Sequence, residues 1–147
     1  MFETVVIATD GSESAARAVR MALDFSERFD ATVHAIYVVD SGELRESLEA
    51  ALETAADEAL SFVEDCVAGE ADADVVTAVR EGEPAEEIIA YAREVDADVI
   101  ATGTRGRHGD HAFLLGSVAE ATVRRSPVPV LTVRQLGADE RDAVDAR

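Results

Sequence analysis

One segment of the chain spaces glycines and a hydroxyl in a way that suits phosphate binding. Gly103-Thr104-Arg105-Gly106 is followed, after nine intervening residues, by Gly116-Ser117-Val118. Glycine allows a backbone to approach a ligand closely, and the free amides at a helix start favour an anion. The nine-residue interval lets the chain leave and return, so that the Ser117 hydroxyl can add a donor. We therefore predict an anion site on this loop.

The charge of this segment is opposite to that of the remaining chain. Between residues 103 and 134, five arginines stand against Asp110 and Glu120, a local net charge of +3 in a chain whose formal net charge is -18. A basic loop within an acidic protein is suited to attracting an anion. Arg105 and Arg107 are the arginines that we expect to meet phosphate.

Length and composition indicate one cytoplasmic domain. The 147 residues, 48% of them hydrophobic, are enough for one core and too few for two ordinary domains. We expect a nucleotide-binding domain over 1–135 and a polar tail over 136–147. No apolar run approaches the ~20 residues that span a bilayer, and no signal peptide is recognisable. Cys66 is the single cysteine, so an intrachain disulfide is impossible, and we expect it to be a small buried hydrophobe.

The acidic balance indicates a halophilic source. All 13 basic residues are arginine, and 31 are aspartate or glutamate. At very high salt, screening shortens to a few ångströms, so self-repulsion matters little. The same charge argues against sequence-independent binding of nucleic acid, which requires a basic face. An acidic mesophilic protein remains the alternative.

Short β-rich runs alternate with helical patterns along the whole chain, which predicts a parallel sheet covered by helices. A turn is expected at Glu81-Gly82-Glu83, and two prolines at alternate positions identify the last strand as an edge strand. The expected strands are 4–9, 32–39, 75–80, 98–102 and 127–133, and the helices end near residues 29, 67, 95 and 125.

Five strands with four intervening helices predict an α/β fold with an open, doubly wound, five-stranded parallel sheet and helices on both faces. In such sheets, ligands bind beyond the carboxyl ends of the strands, where the strand order reverses. Asp10 follows the first strand and Gly103 the fourth, so both are expected at that edge.

These residues resemble a known family. Gly-x2-Gly-x9-Gly-Ser, after a strand and before a helix and a Pro-Val-Pro-Val-Leu strand, is similar to the ATP-binding motif of the universal stress proteins. The resemblance covers residues 2–134 and includes Val5–Ser12 and His34–Asp40. It implies a Rossmann-like fold of the adenine nucleotide alpha hydrolase type, a bound ATP or other adenine nucleotide, and an accompanying Mg²⁺.

The resemblance also implies roles for individual residues. Asp10 lies near the ribose and phosphates, Ala8 and Thr9 line the adenine end, and the Val38 backbone meets the adenine edge. The phosphate side begins at Thr102 and Gly103. Gly106 and Gly116 shape it, and Ser117 and Val118 close it.

Several of these residues allow a simpler interpretation. Asp10 can act as a cap of the first helix, as aspartates after strands often do. Asp110 and His111 depart from the family pattern. The Asp110 carboxylate would face the nucleotide, the solvent or a metal, and these alternatives stay open. His108 and His111 are read as solvated, with a metal site or an acid/base pair as the less favoured alternatives.

Three functions follow from the sequence. The first is an ATP-binding stress-response protein, a regulatory dimer rather than an enzyme. The second is a slow ATPase or phosphotransferase with the same pocket, although no activated nucleophile is recognisable. The third is an interaction module that does not bind nucleotide. A homodimer is expected through the last strand, because pairing with its copy would cover the exposed edge of Val130, Leu131, Thr132 and Val133.

Overall fold

The computed structural model of the chain describes residues 2–40, 49–67, 75–104 and 116–134. Within these ranges, strands and helices alternate from the first strand to the last. The strands are β1 Thr4–Ala8, β2 Thr32–Asp40, β3 Val75–Gly82, β4 Val99–Gly103 and β5 Val130–Val133. The helices are α1 Glu13–Phe29, α2 Glu49–Val67, α3 Pro84–Glu94 and α4 Ser117–Arg125.

All five strands are parallel and lie in the order β3-β2-β1-β4-β5. The chain runs from β1 outward to β3 and then crosses back to β4 on the other side of β1. The strand order therefore reverses between β1 and β4, which is the arrangement of a doubly wound sheet. The predicted fold class is confirmed.

Alternation along the strands divides the core between the two faces of the sheet. Val5 and Ile7 of β1 pack with α1 and α2 on one face, whereas Val6 and Ile36 pack with α3 on the other. These side chains are at most 1% exposed. Strands buried on both faces read as continuous apolar runs, as the β1 sequence does.

The ends of several elements differ from the sequence prediction. β1 ends at Ala8, one residue earlier than expected, and β4 spans Val99–Gly103 instead of 98–102. β3 continues through the predicted turn to Gly82, because β2 extends to Asp40 and pairs with it there. Cys66 is only half-buried at the margin of the core.

The prediction that the last strand lies at an edge of the sheet is confirmed, but its start is not. β5 begins at Val130, and the two prolines precede it. The Pro129 carbonyl already accepts a hydrogen bond from the Ile100 N–H at 3.0 Å. Pro129 therefore joins the sheet as an acceptor, which needs no N–H of its own.

Candidate functional site

The turn between β1 and α1 is held by its own side chains. The Thr9 hydroxyl accepts from the Gly11 N–H at 3.2 Å, and Asp10 Oδ1 accepts from the Ser12 N–H at 2.9 Å. The Ser12 hydroxyl caps α1 by accepting from the Ala15 N–H at 3.2 Å. Asp10 is thus not the cap of this helix. Gly11 has φ +79°, a conformation that favours glycine.

The Val38 backbone lies on the part of β2 that pairs with β3 but extends beyond the end of β1. The Ile36 carbonyl accepts from the Thr9 N–H at 3.1 Å, so the Ile36 backbone faces β1. Backbone orientation repeats every second residue, and the Val38 N–H and carbonyl therefore face the same side. β1 has already ended at Ala8, the register partner of Ile36. A donor and an acceptor of Val38 thus point into the space beyond the end of β1.

Two hydrogen bonds close the glycine loop where it leaves and re-enters the described structure. Thr102 and Gly103 are buried at the end of β4, and the following Thr104 N–H donates to the Val133 carbonyl at 3.1 Å. The Thr104 carbonyl then accepts from the Gly116 N–H. Gly116, at the start of α4, therefore lies beside Thr104, just after the end of β4, as the spacing of the glycines predicts.

Helix α4 starts at this point without a side-chain cap. Gly116 is the N-cap residue, with φ -62° and ψ 155°, and has no side chain to accept from the first amides. Ser117 is exposed, whereas Val118 is half-buried against the core formed with α3. The open amides and the helix dipole favour an anion at this end, and the Ser117 hydroxyl provides a further donor.

Nine of the twelve site residues predicted from the sequence lie in the described ranges, all at the carboxyl ends of β1, β2 and β4 or at the start of α4. Arg105, Gly106 and Arg107 lie outside the described residues, as do His108, Asp110 and His111. No group of three or more metal-binding side chains occurs in the part of the chain that the structure describes. The nine described residues are Ala8, Thr9, Asp10, Val38, Thr102, Gly103, Gly116, Ser117 and Val118.

A polar cluster near the middle of the sheet escaped the sequence analysis. His34 Nδ1 lies 2.8 Å from the Tyr91 hydroxyl, and the Arg80 guanidinium lies 5.2 Å from the centre of the Tyr91 ring. Burial lowers the pKa of His34 and raises that of Tyr91, so a neutral imidazole and a protonated phenol share this hydrogen bond, whose direction is set by the imidazole tautomer. Arg80 also pairs with Glu94 at 2.9 Å. These contacts fasten α3 to β2 and β3.

The arginines at the end of α4 have carboxylate partners as well as a favourable helix dipole. Arg124 pairs with Glu120 at 2.9 Å, and Arg125 pairs with Glu83 at 3.5 Å. Glu83 is the residue that caps α3. The Arg125 contact therefore connects the end of α4 to the beginning of α3.

Comparison with known proteins identifies relatives along nearly the whole chain. A universal stress protein of Methanocaldococcus jannaschii is 38% identical over 146 residues, covering 92% of this chain and 84% of the relative. UspA from Lactobacillus plantarum is similar in structure, with a TM-score of 0.73 and 25% identity over 90% of this chain and 98% of that one. A universal stress protein in complex with cAMP gives a TM-score of 0.67 and 29% identity over 90% and 97% of the two chains.

The similarity to one protein family extends over the whole domain and is not confined to one motif. The family model described as Universal stress protein family matches residues 1–134, from before β1 to the residue after β5. In the described residues, no helix is both long and apolar enough to cross a membrane. The fold, the order of the strands and the sequence similarity agree, and the chain belongs to the universal stress protein family.

Proposed function

We propose that this protein is a stress-response regulator that binds ATP where β1, β2 and β4 end. The observation that carries the proposal is the uncapped start of α4, which the Gly116–Thr104 hydrogen bond fixes beside the ends of β4 and β5. Helix geometry leaves the amides of Ser117, Val118 and Ala119 without acceptors inside the helix, and an anion would satisfy them while it gains from the dipole. The cAMP complex of a 29% identical relative supports an adenine nucleotide as the ligand.

The adenine end of the nucleotide is assigned to the Val38 backbone, with Ala8 and Thr9 beside it. An N–H donor next to a carbonyl acceptor complements adenine, which offers a ring acceptor next to its amino group. Guanine presents the reverse order of donor and acceptor. This arrangement supports discrimination for ATP over GTP.

The phosphates are assigned to the start of α4 and the glycine loop, with Arg105, Gly106 and Arg107 on the part of the loop outside the described residues. Mg²⁺ usually binds through one or two carboxylates, water and substrate phosphates, and needs no cage of protein ligands. A metal that arrives with the phosphates is therefore compatible with the residues at this edge. When bound, Mg²⁺ would neutralise phosphate charge, and Asp10, which follows β1, is a candidate ligand.

Calorimetric titration in molar KCl with Mg²⁺ tests the proposal. Wild-type protein is expected to bind ATP saturably, more tightly than GTP or adenosine. Ser117→Asp adds a negative charge at the helix start, which suits the dipole but repels phosphate, so affinity for ATP should fall more than about tenfold without loss of stability. Ser61→Asp makes the same change at an exposed position of α2 and serves as the control. Absence of saturable binding by the wild type contradicts the proposal.

We also propose a homodimer through the free edge of β5. The Pro129 and Val133 carbonyls face β4, so by alternation the N–H of exposed Thr132 faces outward. Thr132→Pro removes this outward donor and leaves the pairing with β4 intact. Light scattering in molar KCl should give a dimer for the wild type and a folded monomer for the variant. A monomeric wild type contradicts the proposal.

The acidic, lysine-free composition supports a halophilic, cytoplasmic protein. Within the described residues, the ion pairs join side chains that are 41–76% exposed, so they contribute little at high salt. The unpaired carboxylates repel each other more strongly as salt is removed. The melting temperature should therefore rise between low and molar KCl, and a constant melting temperature would favour a mesophilic source.

A further inference from the structure

Arg17 makes a contact that differs from those of most other arginines in the described chain. Arg17 is half-buried on α1, and its Nη1 donates to the Arg134 carbonyl at 2.7 Å in a solvent-exposed contact across 117 residues of sequence. Arg28, Arg80 and other surface arginines pair instead with carboxylates. A guanidinium that ties a helix to a main-chain carbonyl fixes the position of backbone and does not merely balance charge.

The carbonyl that Arg17 contacts belongs to a series of hydrogen bonds that ends at α4. Arg134 follows Val133, whose carbonyl accepts from the Thr104 N–H. The Thr104 carbonyl in turn accepts from the Gly116 N–H, which opens α4. Three hydrogen bonds, together with the peptide bond between Val133 and Arg134, thus connect α1 to the start of α4.

The site has two parts, the turn at Asp10 and the start of α4. The described β1–β4 ladder stops before it reaches either part. The β1–β4 register ends at Ala8 and Thr102, and Asp10 and Gly116 both lie past this point. Asp10 shares its turn with Ser12, the N-cap of α1, and Arg17 follows on the same rigid helix. A shift of α1 relative to β5 would therefore move Asp10 relative to the start of α4.

We propose that Arg17 is a positioning residue for nucleotide binding, which rests on the proposed function. Its hydrogen bond to the Arg134 carbonyl adds to the packing of α1 on β4 and β5, and helps to hold the Asp10 turn and the start of α4 at the separation that the phosphates require. Arg17 acts through the backbone and does not touch the nucleotide. Its effect therefore depends on the phosphates and is absent for adenosine.

The test compares three variants by calorimetry in molar KCl with Mg²⁺. Arg17→Met removes the donor and keeps the aliphatic stem, and should lower ATP affinity about fivefold while adenosine affinity changes less than about twofold. Arg17→Lys keeps a charged donor and should restore most of the ATP affinity. Arg28→Met makes the same change in charge at the opposite end of α1 and should leave both affinities unchanged.

A second readout does not require nucleotide. Amide exchange at Thr104 and Gly116 should be faster in Arg17→Met than in Arg28→Met, because the end of β5 is less firmly held. If the wild type binds ATP and Arg17→Met binds it as well as Arg28→Met does, the positioning role is wrong and the proposed function stands. If the wild type does not bind ATP, the proposed function itself fails, and the positioning role fails with it.

Discussion

Helices α3 and α4 pack on the same face of the sheet, yet their first turns are satisfied in opposite ways. Glu83 precedes α3, and its carboxylate accepts from the Ala85 N–H at 3.3 Å and the Glu86 N–H at 2.9 Å. Gly116 precedes α4 and provides no side-chain acceptor. Both helices begin with amides that lack intrahelical acceptors. Within the described residues, a side chain accepts from those of α3 and none accepts from those of α4, which leaves the α4 amides open to water or a ligand.

Within this comparison of the two helices, the largest expected effect comes from giving α4 the kind of cap that α3 has. Gly116→Asn supplies a neutral acceptor, and φ -62° at this position is accessible to any residue. The new side chain would compete with phosphate for the same amides, so ATP affinity should fall about tenfold while the free energy of unfolding rises by about 0.3 kcal/mol. Calorimetry and denaturant unfolding in molar KCl measure both quantities.

Gly116→Ala is the matched control, because it adds a Cβ at the same position without an acceptor. It should keep most of the ATP affinity. Equal losses for the alanine and asparagine variants would mean that the glycine is needed for space. The contrast between the two helix starts would then have no bearing on phosphate binding.

The second-largest effect is expected from removing the cap of α3. Glu83→Ala leaves two amides without their acceptor and breaks the contact with Arg125, so the free energy of unfolding should fall by about 1 kcal/mol. Because none of the proposed nucleotide contacts involves Glu83, ATP affinity should change less than about twofold. Glu86→Ala, an exposed glutamate of the same turn, is the control in denaturant unfolding. An equal loss in both variants would mean that the cap adds nothing to α3.

The sequence was sufficient for features set by local chemistry. Asp30 ends α1 in the left-handed conformation with φ 54°, as the predicted helix end at Phe29 requires. The prolines before Val130 correctly indicated an edge strand, because a missing N–H is tolerated best there. The alternation of short strands and helices was enough for the fold class.

Other features depend on partners that are distant in sequence. Asp10 and Ser12 are both good cap residues in one turn, and only the folded backbone decides that Ser12 accepts from the Ala15 N–H. The extension of β3 through Gly82 comes from its pairing with Asp40. The contact of His34 with Tyr91 spans 57 residues, which no local pattern reveals.

A smaller effect concerns the side chains that hold α3 to the sheet. Burial lowers the pKa of His34, so the folded protein favours the neutral ring. As the pH falls below about 6.5, the unfolded chain takes up the proton first, and the free energy of unfolding decreases. The charged and titratable groups of this cluster are Tyr91, Arg80 and Glu94.

His34→Gln provides the comparison, because an amide can still bond to the Tyr91 hydroxyl but does not titrate. Unfolding is measured in both proteins between about pH 7.5 and about pH 5.5. The wild type should lose more stability across this range than the variant. Parallel pH profiles would show that His34 does not contribute, and that the loss comes from other groups.

The smallest effect is expected from the ion pair on the exposed side of α4. Arg124 and Glu120 are 76% and 49% exposed, and their i,i+4 contact stabilises the helix by about 0.3 kcal/mol at low salt. A double-mutant cycle of Arg124→Ala and Glu120→Ala isolates this coupling, which should vanish in molar KCl because the charges are screened. A coupling that persists at high salt would mean that α4 depends on its own side chains as α3 does. If the coupling vanishes as expected, the side chains of α4 contribute little to its stability at high salt. The position of α4 would then depend on the hydrogen bonds at Gly116 and on the nucleotide.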